Sequence, residues 1–62
     1  MRKYAVDLLT TDRIVHPASG RVILIDSIEP SGDSHINVSA FFEDDGESWD
    51  VRLDHDNEMV IV

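Results

Sequence analysis

Cysteine is absent from the chain, so neither disulfide staples nor thiolate metal sites are available to it. No apolar run approaches the roughly 20 residues that a bilayer-spanning helix needs, and Met1–Asp7 holds no apolar stretch of signal-peptide length. A cytoplasmic location without membrane association is therefore expected. Basic residues are nearly missing from one half. Residues 32–62 carry Arg52 alone against nine carboxylates, whereas residues 1–31 carry four basic and four acidic groups, so the formal net charge of −8 lies in the second half. Nucleic-acid affinity comes largely from Lys and Arg neutralising phosphates, and an acidic half of this size argues against direct nucleic-acid binding.

Catalytic and metal-binding signatures are missing as well. His16, His35 and His55 lie far apart, with no His-x-x-x-His or His-Glu-x-x-His spacing, so no metal site is expected. Asp54-His55-Asp56-Asn57-Glu58 has alternating oxygen-bearing side chains but not the glycine and distal glutamate of a calcium loop; a carboxylate capping a short turn is the simpler role. Ser19, Ser31, Ser34 and Ser48 have no base near them in sequence, and a hydroxyl without an orienting base is not a nucleophile at neutral pH. Glu43, Asp44, Asp45 and Glu47 form a wet loop tip, where carboxylates do not acquire the divergent acidities that acid/base catalysis needs. There is no phosphate-cradling glycine loop. The expectation is a non-enzyme with no cofactor.

What is present is short apolar runs punctuated by turns. At 62 residues there is room for one domain, spanning residues 1–62, which buries only about 60% of the surface its unfolded chain exposes. Arg13-Ile14-Val15 closes at the turn His16-Pro17-Ala18-Ser19-Gly20. Val22-Ile23-Leu24-Ile25 continues through Asp26-Ser27-Ile28 as a long strand, buried on both sides or bent round a core. After Pro30-Ser31-Gly32-Asp33, the residues Ile36, Val38, Ala40 and Phe42 alternate with His35, Asn37, Ser39 and Phe41, the cleanest period-two segment in the chain. Glu43–Glu47 reads as a hairpin loop with Gly46 at a left-handed position, across which Phe42 should meet Trp49. Trp49, Val51 and Leu53 alternate with Asp50 and Arg52, and Met59-Val60-Ile61-Val62 ends the chain as a fifth strand. Tyr4–Leu9 is compatible with a strand or one helical turn. No amphipathic helix is visible. The expected fold is all-β, a small five-stranded barrel, partly open.

Thr11-Asp12-Arg13-Ile14-Val15, with Gly20-Arg21-Val22-Ile23-Leu24-Ile25 after it, resembles the opening of SH3-like barrels of the KOW type. In that family Gly-Asp-x-Val starts the first strand and Gly-x-Val-x-x-Ile the second. Gly20, Val22 and Ile25 match the second pattern, while Thr11 stands where the first has Gly. From about residue 8 onward the layout is also similar to short uncharacterised proteins of actinobacteria and their phages, which share a Phe-Glu-Asp-Gly-x-x-Trp-like hairpin, here Phe42–Trp49. The resemblance implies an SH3-like fold and no active site; for a phage-encoded protein it implies work in the host cytoplasm. KOW domains meet RNA or polymerase-associated proteins through basic surfaces, and that basic surface is missing here.

Recognition by surface is what these observations leave. The expected core is Trp49, Phe42, Val38, Ile36, Leu24 and Val51. Phe41 falls on the opposite phase and should face outward, and Tyr4, Met59, Val60 and Val62 are apolar residues in excess of one buried face. These five are the candidate interface. The primary expectation is a small acidic module that binds a protein partner or itself, such as a phage-type host-directed factor. A nucleic-acid-associated regulator would need Arg2, Lys3, Arg13 and Arg21 to converge on one face. An acidic nucleic-acid mimic would need the carboxylates of residues 43–58 arrayed along one ridge.

Overall fold

A computed structural model describes residues 1–62. The strands are β1 (Arg2–Tyr4), β2 (Arg13–Val15), β3 (Val22–Ser31), β4 (His35–Phe42), β5 (Ser48–Asp54) and β6 (Glu58–Val60), with one turn of 3-10 helix over Ala5–Asp7. The all-β expectation holds. No helix is long and apolar enough to cross a membrane.

β2, β3, β4 and β5 form an antiparallel meander, and β1 pairs with β6 in a separate two-stranded sheet. The last residues join the two: Ile61 bridges Ile14 of β2, its N–H donates to the Met1 carbonyl at 2.7 Å, and the Val62 N–H donates to the Arg13 carbonyl at 2.8 Å. Six strands in two sheets thus replace the five expected. The additional strand is β1, and the Tyr4–Leu9 segment holds its last residue followed by the 3-10 turn.

The long β3 is bent. Its register with β4 slips between Ile25 and Ser27, leaving Asp26 exposed at a bulge; before it β3 lies between β2 and β4, and after it β3 pairs with β4 alone. The hairpins turn on glycines. Gly46 has φ +73°, its N–H donates to the Phe42 carbonyl at 2.8 Å, and Asp45 accepts the Glu47 N–H at 2.9 Å.

One apolar cluster fills the space between the sheets. Ile14, Ile23 and Val38 are its largest fully enclosed side chains, and Ile25, Ile36, Ala40 and Phe42 continue the inward phases of β3 and β4. Ala5, Leu8 and Met59 close it from the N-terminal turn and β6. Of the expected core, Phe42, Val38 and Ile36 are buried, whereas Trp49 and Val51 are half-buried against the cluster. Leu24 is not part of it. Ile23 and Ile25 take the inward phase, so Leu24 points to the outer face. Trp49 stands opposite Ala40, which makes it a diagonal neighbour of Phe42, and His16 packs edge-on against both rings at 5.4 and 5.5 Å.

Candidate functional site

The outer face of the meander is built by strand parity. Phe41 lies opposite Leu24, and Leu24 lies opposite Arg13, whose carbonyl accepts the Val62 N–H. These four residues form one row across β4, β3, β2 and the chain end. In the neighbouring row Val22 faces Val15, and the antiparallel register of the Ile14–Ile61 bridge sets Val60 beside Val15. Phe41, Val60 and Val62 are exposed (37, 40 and 60%), and Val15, Val22 and Leu24 are half-exposed. Apolar residues scattered along the chain are thereby gathered into a strip, with Arg13 standing between Leu24 and Val62.

Tyr4, 51% exposed, shares the phase of Arg2 and Val60 and stands opposite Glu58, beyond the end of the strip. Met59 is corrected: only 5% exposed, it belongs to the core, because Met59 and Ile61 take the inward phase and leave Val60 and Val62 outside.

Four of the five cations are tied to carboxylates. Arg13 donates from Nε and Nη2 to one oxygen of Glu43, at 3.1 and 2.7 Å. Arg21 grips Asp44 at 3.0 and 2.8 Å and Asp45 at 2.9 Å, with its guanidinium carbon 3.8 Å from the Phe42 ring centre. Hydrogen bonding from Arg21 holds the Asp44 carboxyl below its ordinary range, and Asp44 in turn raises the Arg21 guanidinium. Arg2 meets Glu58 at 3.5 Å. Lys3 meets both oxygens of Asp12 at 3.1 and 3.0 Å. The Asp12 carboxyl is lowered first by the Leu9 N–H, at 2.9 Å, and then by Lys3, against the opposing effect of burial. Arg52 alone among the five Lys and Arg residues has no acidic partner.

Next to the Phe41–Leu24 row on the same outer face lies a shallow depression of about 520 Å³, floored by β3, β4 and β5, with Ser27, Glu29, Asn37, Ser39, Asp50 and Arg52 around it. Ser39 donates to Asp50 at 3.0 Å. Asp50 and Asp54 are separated along β5 by Arg52, so the carboxylates alternate with a cation instead of forming a ridge.

The histidines serve three different places. His16 accepts the Ser19 N–H at 3.2 Å, His35 pairs with Asp54 and with Ser34, and His55 lies in the turn after β5. That turn is closed by Asn57, whose side chain accepts the Asp54 N–H at 2.8 Å, in place of the carboxylate cap expected at Asp54 or Asp56. No group of His, Asp and Glu side chains converges in metal-binding geometry.

No family model, curated protein or solved structure matches the chain. The strip is legible in the sequence only in part: Phe41 is expected to face outward and Val60 and Val62 are candidates beside Met59, whereas the phase of the chain end and the membership of Leu24, Val15 and Val22 come only from strand pairing.

Proposed function

We propose that the chain is a protein-binding module of SH3-like, partly open barrel design, which docks a protein partner through the strip centred on Phe41 and Leu24. The SH3-like reading is supported by the four-stranded meander whose chain end returns to β2 through the Ile14–Ile61 bridge. The docking reading rests on one observation: outward-facing apolar side chains from β2, β3, β4 and the chain end lie in adjacent rows, crossed by the Arg13–Glu43 ion pair. Interfaces of this kind have an apolar centre, aromatic enrichment and a polar rim.

The alternatives have less support. Arg2, Lys3, Arg13 and Arg21 are each engaged by a carboxylate, which lowers the positive potential they would offer a phosphate backbone. Glu43, Asp44 and Asp45 are spent on Arg13 and Arg21, which breaks the acidic ridge a nucleic-acid mimic requires.

The test is affinity capture from the lysate of the native host with wild type, Phe41→Ser and Val60→Asp, followed by mass spectrometry. A protein retained by the wild type and lost from both folded variants supports the reading. Equal retention by all three overturns it.

A further inference from the structure

The free edges of the two sheets are not equivalent. β1 is three residues long and carries Arg2 and Lys3. The distal half of β3 has Pro30 at an outward-pointing backbone position: Glu29 and Ser31 share the phase that turns towards β4, so Ile28 and Pro30 turn away. Proline offers no N–H there and blocks strand addition. β5 is longer, and its charges, Asp50, Arg52 and Asp54, alternate in sign. It runs seven residues, Ser48–Asp54, with no proline and no lysine.

Strand parity tells which of its backbone groups are free. The Phe42 N–H donates to the Glu47 carbonyl and the His55 N–H donates to the Ser34 carbonyl, which fixes the hydrogen-bonded pairs of β4 and β5 as those of Trp49, Val51 and Leu53. The N–H and C=O groups of Ser48, Asp50 and Arg52 therefore point to the open edge. Those of Asp54 are taken by Asn57. On the core side Trp49, Val51 and Leu53 are only half-covered.

We infer that β5 is a self-complementary edge through which two copies of this chain pair antiparallel about Val51. With Val51 opposite Val51 of the second copy, Asp50 of each chain faces Arg52 of the other. Both residues belong to the phase whose backbone groups are free, so the same register forms the ladder hydrogen bonds and two reciprocal ion pairs. Arg52, the one cation left without an acidic partner within the chain, gains one. Trp49 comes opposite Leu53, which extends apolar cover over the half-exposed inner row. The contact is isologous and closes at two copies. Ser48, the first residue of this edge, stands opposite Phe41, so the edge adjoins the strip, and the charge variants at residues 50 and 52 and the Phe41 variant test the two surfaces separately.

The experiment is sedimentation equilibrium of the full chain over a wide concentration range, with circular dichroism to verify folding. Wild type should approach twice the monomer mass. Asp50→Arg and Arg52→Asp should each remain monomeric, because each sets like charges opposite one another. The double variant Asp50→Arg/Arg52→Asp should dimerise again, and an equimolar mixture of the two single variants should form a heterodimer. In wild type, the Asp50 and Arg52 amides should gain hydrogen-exchange protection as concentration rises. A wild type that stays monomeric throughout overturns the inference. So do single variants that self-associate as wild type does, a mixture that stays monomeric, or a dimer lost in Phe41→Ser but kept in both charge variants.

Discussion

Phe41 and Leu24 stand directly opposite one another on β4 and β3, on the face turned away from the core. Each is one residue out of phase with a buried neighbour, Phe42 and Ile23, so the same hairpin supplies both the core and the proposed docking strip. Removing Phe41 should then separate binding from folding. Phe41→Ser is expected to cost about 1–2 kcal/mol, because the ring is 37% exposed, and Phe42→Ser, at 7%, is expected to unfold the domain. Equilibrium denaturation of the two variants checks this.

The fully enclosed residues should dominate stability. Ile23→Ala, at 0% exposure, is expected to cost about 2–5 kcal/mol, comparable with the few kcal/mol that a domain of this size has in total. Trp49→Ala, at a half-buried site, should cost less despite the larger side chain removed. Urea titrations that rank Trp49→Ala as the more damaging change would place the packing centre nearer β5.

Gly46 isolates a backbone effect. A Cβ there would meet no atom within 4 Å, so the cost of substitution comes from φ +73° alone. Gly46→Val should destabilise by about 1 kcal/mol or more, while Gly46→Asn, which tolerates the left-handed region, should lose less. Thermal melts of the pair decide; equal midpoints would mean that the loop relaxes to another geometry.

Asp12 ties β1 to the turn before β2 by holding the Leu9 N–H and Lys3. Its carboxyl is lowered in the folded state, so its contribution is fully present above the unfolded carboxylate value of about 3.9 and is lost as pH falls through the folded value. Asp12→Ala should destabilise by about 1–2 kcal/mol at pH 7, and the gap from wild type should narrow below about pH 4. Urea midpoints at the two pH values test the sign. A gap that widens in acid would contradict it.

The fold was most legible where the period was clean. Ile36–Phe42 alternates strictly, and its inward and outward sets are those expected. Val22–Ile25 is apolar at every position, so its phase is set by pairing with β2 and β4 and not by its own pattern, which is why Leu24 was misplaced. The same holds for Met59–Val62, whose phase is fixed by the Ile14–Ile61 bridge. β1 is too short to carry a periodic signal and exists through its pairing with residues 58–60. The ion pairs of Arg13 and Arg21 with the Glu43–Asp45 tip join residues far apart in sequence, which only the packed hairpins bring together.

The most direct measurement is calorimetric titration of the captured partner, at several temperatures, against wild type, Phe41→Ser and Glu29→Ser, the last altering the polar depression two rows from Phe41. Docking on the strip predicts a negative heat-capacity change for wild type and Glu29→Ser, with affinity lost in Phe41→Ser. Undiminished affinity in Phe41→Ser, or a heat-capacity change near zero for wild type, would contradict it.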